Sequence, residues 1–110
     1  MKKKKVLWLS RHKPSALQQK VLEEKIGEVD IFPLTANVRD ASEVHELMAA
    51  GGFEEIVAVL PINILADLTE RGIYPIKAVM NRHQNITGET RFKFSHYERI
   101  KKVVIENENL

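Results

Sequence analysis

The chain has no cysteine among its 110 residues. Disulfides and thiolate metal sites are therefore excluded, and a reducing compartment is permitted. No apolar stretch approaches the ~20 residues needed to cross a bilayer. Lys2 to Lys5 have the charge of a signal-peptide start, but the apolar run behind them, Val6 to Leu9, is too short for one. A cytoplasmic protein is the expectation. The net charge is only +2, which does not suit a protein that coats long nucleic acid through many phosphate contacts. Neither GxGxxG nor the GxxxxGK motif occurs, so dinucleotide and nucleoside-triphosphate binding of the usual kinds have no support. HxxxH and HExxH are missing too, so the sequence offers no sign of a metal site and implies no cofactor.

What remains is the composition of an ordinary folded domain, 44% hydrophobic and 29% charged. A chain of this length is expected to form a single domain spanning residues 1–110. Short apolar runs alternate with amphipathic stretches. Lys5 to Ser10 reads as a buried strand, and Ser15 to Ile26 as a helix with Leu17, Val21, Leu22 and Ile26 on one face. Ser15 and Gln18 have the spacing of a capping box, and Gly27 ends the helix. Val29 to Leu34 reads as a strand at an edge or ending at Pro33. A second helix begins at Asp40, with Glu43 completing another capping box, buries Val44, Leu47 and Met48, and stops at Gly51 and Gly52.

Glu55 to Leu60 is expected to be the central strand, and Pro61 suits the first turn of a helix running to Arg71. Pro75 to Met80 reads as a fourth strand, Asn81 to Thr90 as a loop, and Arg91 to Glu106 as a bent strand or hairpin closing the sheet antiparallel. The expected fold is α/β: a Rossmann-like, mostly parallel sheet of about four to six strands with helices on both faces. Trp8 and the phenylalanines read as core, His45 as an exposed helix residue and Lys2 to Lys5 as a solvated strand start. His96 falls in the last strand or hairpin with no assigned role.

Ligands of open parallel sheets bind outside the carboxyl ends of the strands. Here those ends are Ser10 to Lys13, Thr35 to Arg39, Pro61 to Asn63 and Asn81 to His83. They bring Arg11, His12, Lys13, Arg39, Arg82 and His83 toward one edge, beside helix N-termini that favour anions. Asp40, the one acid there, is expected to be consumed as a cap. The edge is suited to a phosphate-bearing ligand. A strand ending in Arg-His is also found in the histidine phosphatases, but Lys13 stands where those enzymes have glycine, and this chain is much shorter.

Two segments together carry a more specific likeness. "SRHKPSALQ", with Arg11 and His12, and "LPINILADLTERGIYPI", with Leu60, Pro61, Leu65, Ala66 and Glu70-Arg71-Gly72, resemble the small single-domain CRISPR-associated ring nucleases. The resemblance implies a homodimer and a cyclic oligoadenylate ligand, with cyclic tetra-adenylate the expected ring. It also implies metal-independent cleavage by ribose 2′-OH attack, which leaves a 2′,3′-cyclic phosphate and switches off type III CRISPR signalling. His12 is the expected acid or base and Arg11 the phosphate-binding fork. Ser10, Lys13, Pro61, Ile62, Asn63 and Arg82 are the expected ligand-binding residues. The residues themselves leave two other readings open: a non-catalytic sensor or sponge for the cyclic nucleotide, and an oligomeric adaptor that pairs through its last strand.

Overall fold

The computed structural model describes residues 3–104 and 108–109. Its elements run β1 (Lys4–Leu9), α1 (Ala16–Ile26), β2 (Val29–Leu34), α2 (Ala41–Gly51), β3 (Glu55–Ala58), α3 (Ile62–Glu70), β4 (Ile76–Gln84) and β5 (Thr90–Arg99). One five-stranded sheet has the order β2-β1-β3-β4-β5. β1 to β4 are mutually parallel and β5 returns antiparallel to β4. This is the expected Rossmann-like α/β architecture, with β3 at its centre and the proline-bearing β2 at one edge, where a missing ladder N–H costs little.

β1 is apolar at every position from Val6 to Leu9 because both of its faces are covered. Successive side chains alternate between the faces. Val6 and Trp8 pack with Leu22 of α1, Val29, Val57 and Ile76, whereas Leu7 and Leu9 pack with Ala41 and Val44 of α2, Ile56, Ala58, and Ile64 and Leu68 of α3. Each core layer joins β1 to β3 and to one set of helices, so the sheet is clamped from both sides.

The helix ends obey their local chemistry. The Ser15 hydroxyl accepts the Gln18 N–H at 3.1 Å while the Gln18 side chain accepts the Ser15 N–H at 2.9 Å, a complete capping box. Ser15→Ala is expected to lower stability by about 1 kcal/mol, read as a shifted urea midpoint at unchanged slope. At α2, Asp40 caps the Glu43 N–H at 3.0 Å, but Glu43 reaches back to the Arg39 N–H at 2.8 Å instead of closing the expected box on Asp40. Gly52 ends α2 with φ of 65°, the left-handed conformation that favours glycine.

Several expected features change. β3 ends at Ala58, before Leu60, and α3 lies between Pro61, its N-cap, and Arg71. The loop expected over Asn81 to Thr90 is half strand: β4 continues through Gln84, β5 begins at Thr90, and residues 85–89 turn. Asn81 to Gln84 are exposed, so this part of the strand carries polar residues that read as loop. β5 stops at Arg99, Ile100 to Val103 lie outside any strand, and the expected continuation to Ile105 and Glu106 falls outside the described residues. A bulge pairs Val79 with His96 and Met80 with Phe94, leaving Ser95 as the extra residue.

The expected core also shrinks. On α1 only Leu22 is buried, while Leu17 is 56% exposed. Of the four phenylalanines, half-buried Phe53 packs against the layer of Leu7 and Leu9, but none is fully buried, and Phe92 is 64% exposed. Lys5 is not a free strand start: its ammonium group lies 5.1 Å and 5.3 Å from the ring centroids of Phe32 and Phe53 and donates to the Gly51 carbonyl. His45 is exposed, as expected. Nothing in the structure gives His96 more than a local role, bonded to Ser95 and Glu98.

Tyr97 ties β5 to α1. Its hydroxyl donates to the Gln18 carbonyl at 2.9 Å, and burial pushes its phenol up to about 12. The neutral phenol is thus favoured in the folded state. That contribution is complete below the ordinary tyrosine range near pH 10 and is lost as pH rises toward 12. Tyr97→Phe is expected to flatten the fall in melting temperature between pH 10 and 12.

Candidate functional site

α1 carries the chain from β1 to β2 on one face of the sheet, whereas α2 and α3 lie on the other and carry it to β3 and β4. The strand order therefore diverges between β1 and β3. Connections leaving that point in opposite directions open a crevice at the carboxyl ends, the place where ligands of such sheets bind. A cleft of about 470 Å³ lies there. Leu9 ends β1 in it and Ser10 to His12 follow, Thr35 to Val38 follow β2, and Val59 to Pro61 follow β3.

The turn holding Arg11 and His12 is built from the core outward. Trp8, 4% exposed, donates its indole N–H to the His12 carbonyl at 2.8 Å. The His12 N–H bonds the Ser10 hydroxyl at 3.3 Å. Thr35 donates its hydroxyl to the Ser10 carbonyl at 3.3 Å, and the Ser10 N–H reaches the Leu34 carbonyl at 3.2 Å. A buried indole and the end of β2 thus hold this backbone, while the Arg11 and His12 side chains are exposed.

Arg11 and His12 are the basic residues of the cleft wall, and no acidic residue lines it among the described residues. Pro61, also in the wall, begins α3, whose N-terminus has no side-chain cap in contrast to those of α1 and α2. The wall thus offers a guanidinium, an imidazole, the Ser10 and Thr35 hydroxyls, the Asn37 amide and the mouth of a helix N-terminus. That set can bind a phosphate and, through the imidazole, move a proton.

The structure brings Ser10, Arg11, His12 and Pro61 together and leaves other expected residues apart. Lys13, Ile62 and Asn63 are exposed beside the cleft and do not line it. Arg82 and His83 belong to β4, cross-strand from Phe92 and Arg91, on the part of the hairpin beyond the sheet. Arg39 is exposed, and Asp40 is held as the α2 cap. The basic edge is therefore narrower than expected, because the continued strand carries Arg82 and His83 past it. Thr35 and Asn37 line the cleft from the expected strand end Thr35 to Arg39, of which only Arg39 was an expected site residue, whereas Val59 lies outside the expected strand ends; the early end of β3 at Ala58 is what frees it to line the cleft. Compared with protein-family models, with curated proteins and with solved structures, the chain matches none.

Proposed function

We propose that the protein is a cytoplasmic ring nuclease that cleaves cyclic oligoadenylate, with cyclic tetra-adenylate as its expected substrate. The observation that carries the proposal is the cleft at the diverging strands, which Arg11 and His12 both line with no carboxylate beside them among the described residues. The likeness of the Arg11–His12 and Leu60–Pro61 segments to ring nucleases supplies the ligand class. A phosphodiester seated in the cleft meets the Arg11 fork, the Ser10 hydroxyl and the α3 N-terminus.

In the proposed reaction a ribose 2′-oxygen attacks its own phosphorus in line with the 5′-oxygen. His12 accepts the 2′-hydroxyl proton as the new P–O bond forms. The P–O5′ bond breaks, and the 5′-oxygen takes that proton from the protonated His12, directly or relayed through a water. The products are a 2′,3′-cyclic phosphate and a 5′-hydroxyl, and the proton balance is zero. Arg11 stabilises the charge gathering on the equatorial oxygens. Two copies around a two-fold axis present equal sites to a ring of matching symmetry.

Radiolabelled cyclic tetra-adenylate, incubated with the protein and EDTA, tests this. Linear products ending in a 2′,3′-cyclic phosphate are expected, and a ring left intact at high protein concentration overturns the nuclease reading. Among the described residues that line the cleft, His12 is the single acid–base side chain, with no second one to share the proton transfer, which gives a sponge reading its own footing. A ligand-dependent rise in melting temperature with no product would establish it.

A further inference from the structure

The β4–β5 hairpin projects from the edge that bears the cleft. Val57 pairs with Ile76, so Lys77 lies level with Ala58, the last residue of β3. Ala78 to Gln84 run on without a β3 partner, an overhang of about 23 Å at ~3.3 Å per residue. Cross-strand pairing gives this arm two unlike faces. Met80 with Phe94 and Arg82 with Phe92 share one, and Asn81 with Lys93 and His83 with Arg91 share the other. Met80 is 44% exposed, Phe92 is 64% exposed and Ile86 at the turn is fully exposed. A two-stranded ribbon with a bare apolar stripe is marginal in water by itself, so this arm calls for a cover.

The chain's own charge and apolar distribution identifies that cover. α2 and α3 with their flanking residues, 39–51 and 62–71, carry five acidic residues, Asp40, Glu43, Glu46, Asp67 and Glu70, against two arginines, of which Arg71 pairs with Asp67. The two helices pack on the same face of the sheet. Glu46 and Glu70 are exposed there. The arm from Met80 to Phe94 carries Arg82, Arg91 and Lys93 against the single acid Glu89. Next to the acidic layer, at the carboxyl edge, Val59 is 80% exposed and Ile62 is 57% exposed. The same polypeptide thus has a basic arm with an apolar stripe and an acidic layer with an apolar rim. Such a pair of surfaces closes on itself through a two-fold axis.

We propose that the arm clasps a second copy of this chain. Its Met80–Phe92–Phe94 stripe seats on the partner's Val59–Ile62 rim, and its cations face the partner's acidic α2–α3 layer. Because Val59 also lines the cleft, each arm covers the open side of the partner's site. The proposal takes only the two-copy assembly from the functional reading, and this inference supplies the surface that makes it.

Sedimentation equilibrium of the full chain, with no nucleotide present, is expected to give twice the 12.6 kDa chain mass. Phe92→Glu is expected to weaken association by on the order of 30–100-fold while leaving the far-UV circular dichroism unchanged. The absence of native cysteine permits a second measurement. A tagged Phe92→Cys chain mixed with an untagged Ile62→Cys chain is expected to yield a hetero-crosslinked species with a short bismaleimide, and a Lys3→Cys control at the far edge is expected not to. A wild-type monomer at 100 µM, a Phe92→Glu dimer of unchanged strength, or crosslinking no better than the Lys3→Cys control each overturns the proposal. Ring cleavage plays no part in these measurements, so loss of the nuclease reading and loss of the arm contact are separately visible.

Discussion

Replacing Trp8 with alanine is expected to destabilise the protein by about 3–5 kcal/mol, the range for truncating a large buried aromatic side chain. Total stability of such domains is only about 5–15 kcal/mol, so a large part of the folded population is at stake. The indole packs between α1 and the β1–β3 centre, beside Leu22, Val57 and Ile76. It also holds the His12 carbonyl at 2.8 Å. Trp8→Phe separates the two roles. It keeps most of the packing and removes the N–H donor, so a loss of about 1–2 kcal/mol is expected. Chemical unfolding followed by circular dichroism checks both, because Trp8 is the only tryptophan and its fluorescence leaves with it. A Trp8→Ala loss below about 1 kcal/mol would show that the turn does not depend on the core beneath it.

If the proposed reaction holds, His12→Ala is expected to slow cleavage of cyclic tetra-adenylate by about 10²–10⁴-fold, the usual worth of a positioned acid or base. Binding should change little. Arg11→Ala is expected to cost about 10²–10³-fold and to weaken binding as well, because a fork on the phosphate acts in the ground and transition states alike. Arg11→Lys should recover only part of this, since an ammonium cannot make the paired contact. Both side chains are exposed, so melting temperatures should stay near the parent value and separate chemistry from folding. Single-turnover rates with excess protein, alongside equilibrium binding, give the split. Undiminished cleavage by His12→Ala would remove His12 from the proton transfer.

The Trp8 to Ser15 stretch illustrates how much can be read without a structure. An apolar run, an Arg-His turn and a capping serine were each legible, because strand burial, turn exposure and helix capping are local properties. The capping box at Ser15 and Gln18 forms as its spacing demands. Legibility ended where local pattern stopped reporting on surroundings. Leu17 matches the apolar face of α1 in spacing yet remains 56% exposed, while Tyr97 of β5 bonds the neighbouring Gln18 carbonyl in the same turn; spacing along a helix does not say which of its side chains a distant strand will cover. The residues from Asn81 to Gln84 are polar enough for a loop, and they form strand because β5 pairs with them. Cross-strand hydrogen bonding is a long-range outcome that no window along the chain contains.

By itself, then, the sequence determined the alternating α/β order, the both-sided burial of β1 and β3, the helix caps, and the placement of Arg11 and His12 at a carboxyl edge. Each follows from periodicity or from a side chain acting within a few residues. Only the tertiary structure decided which of the six expected basic residues share a site. Arg11 and His12 line the cleft, while Arg82 and His83 ride on an arm reaching about 23 Å past β3. Strand order and strand overhang are set by packing among distant segments. They choose neighbours that composition and spacing leave open.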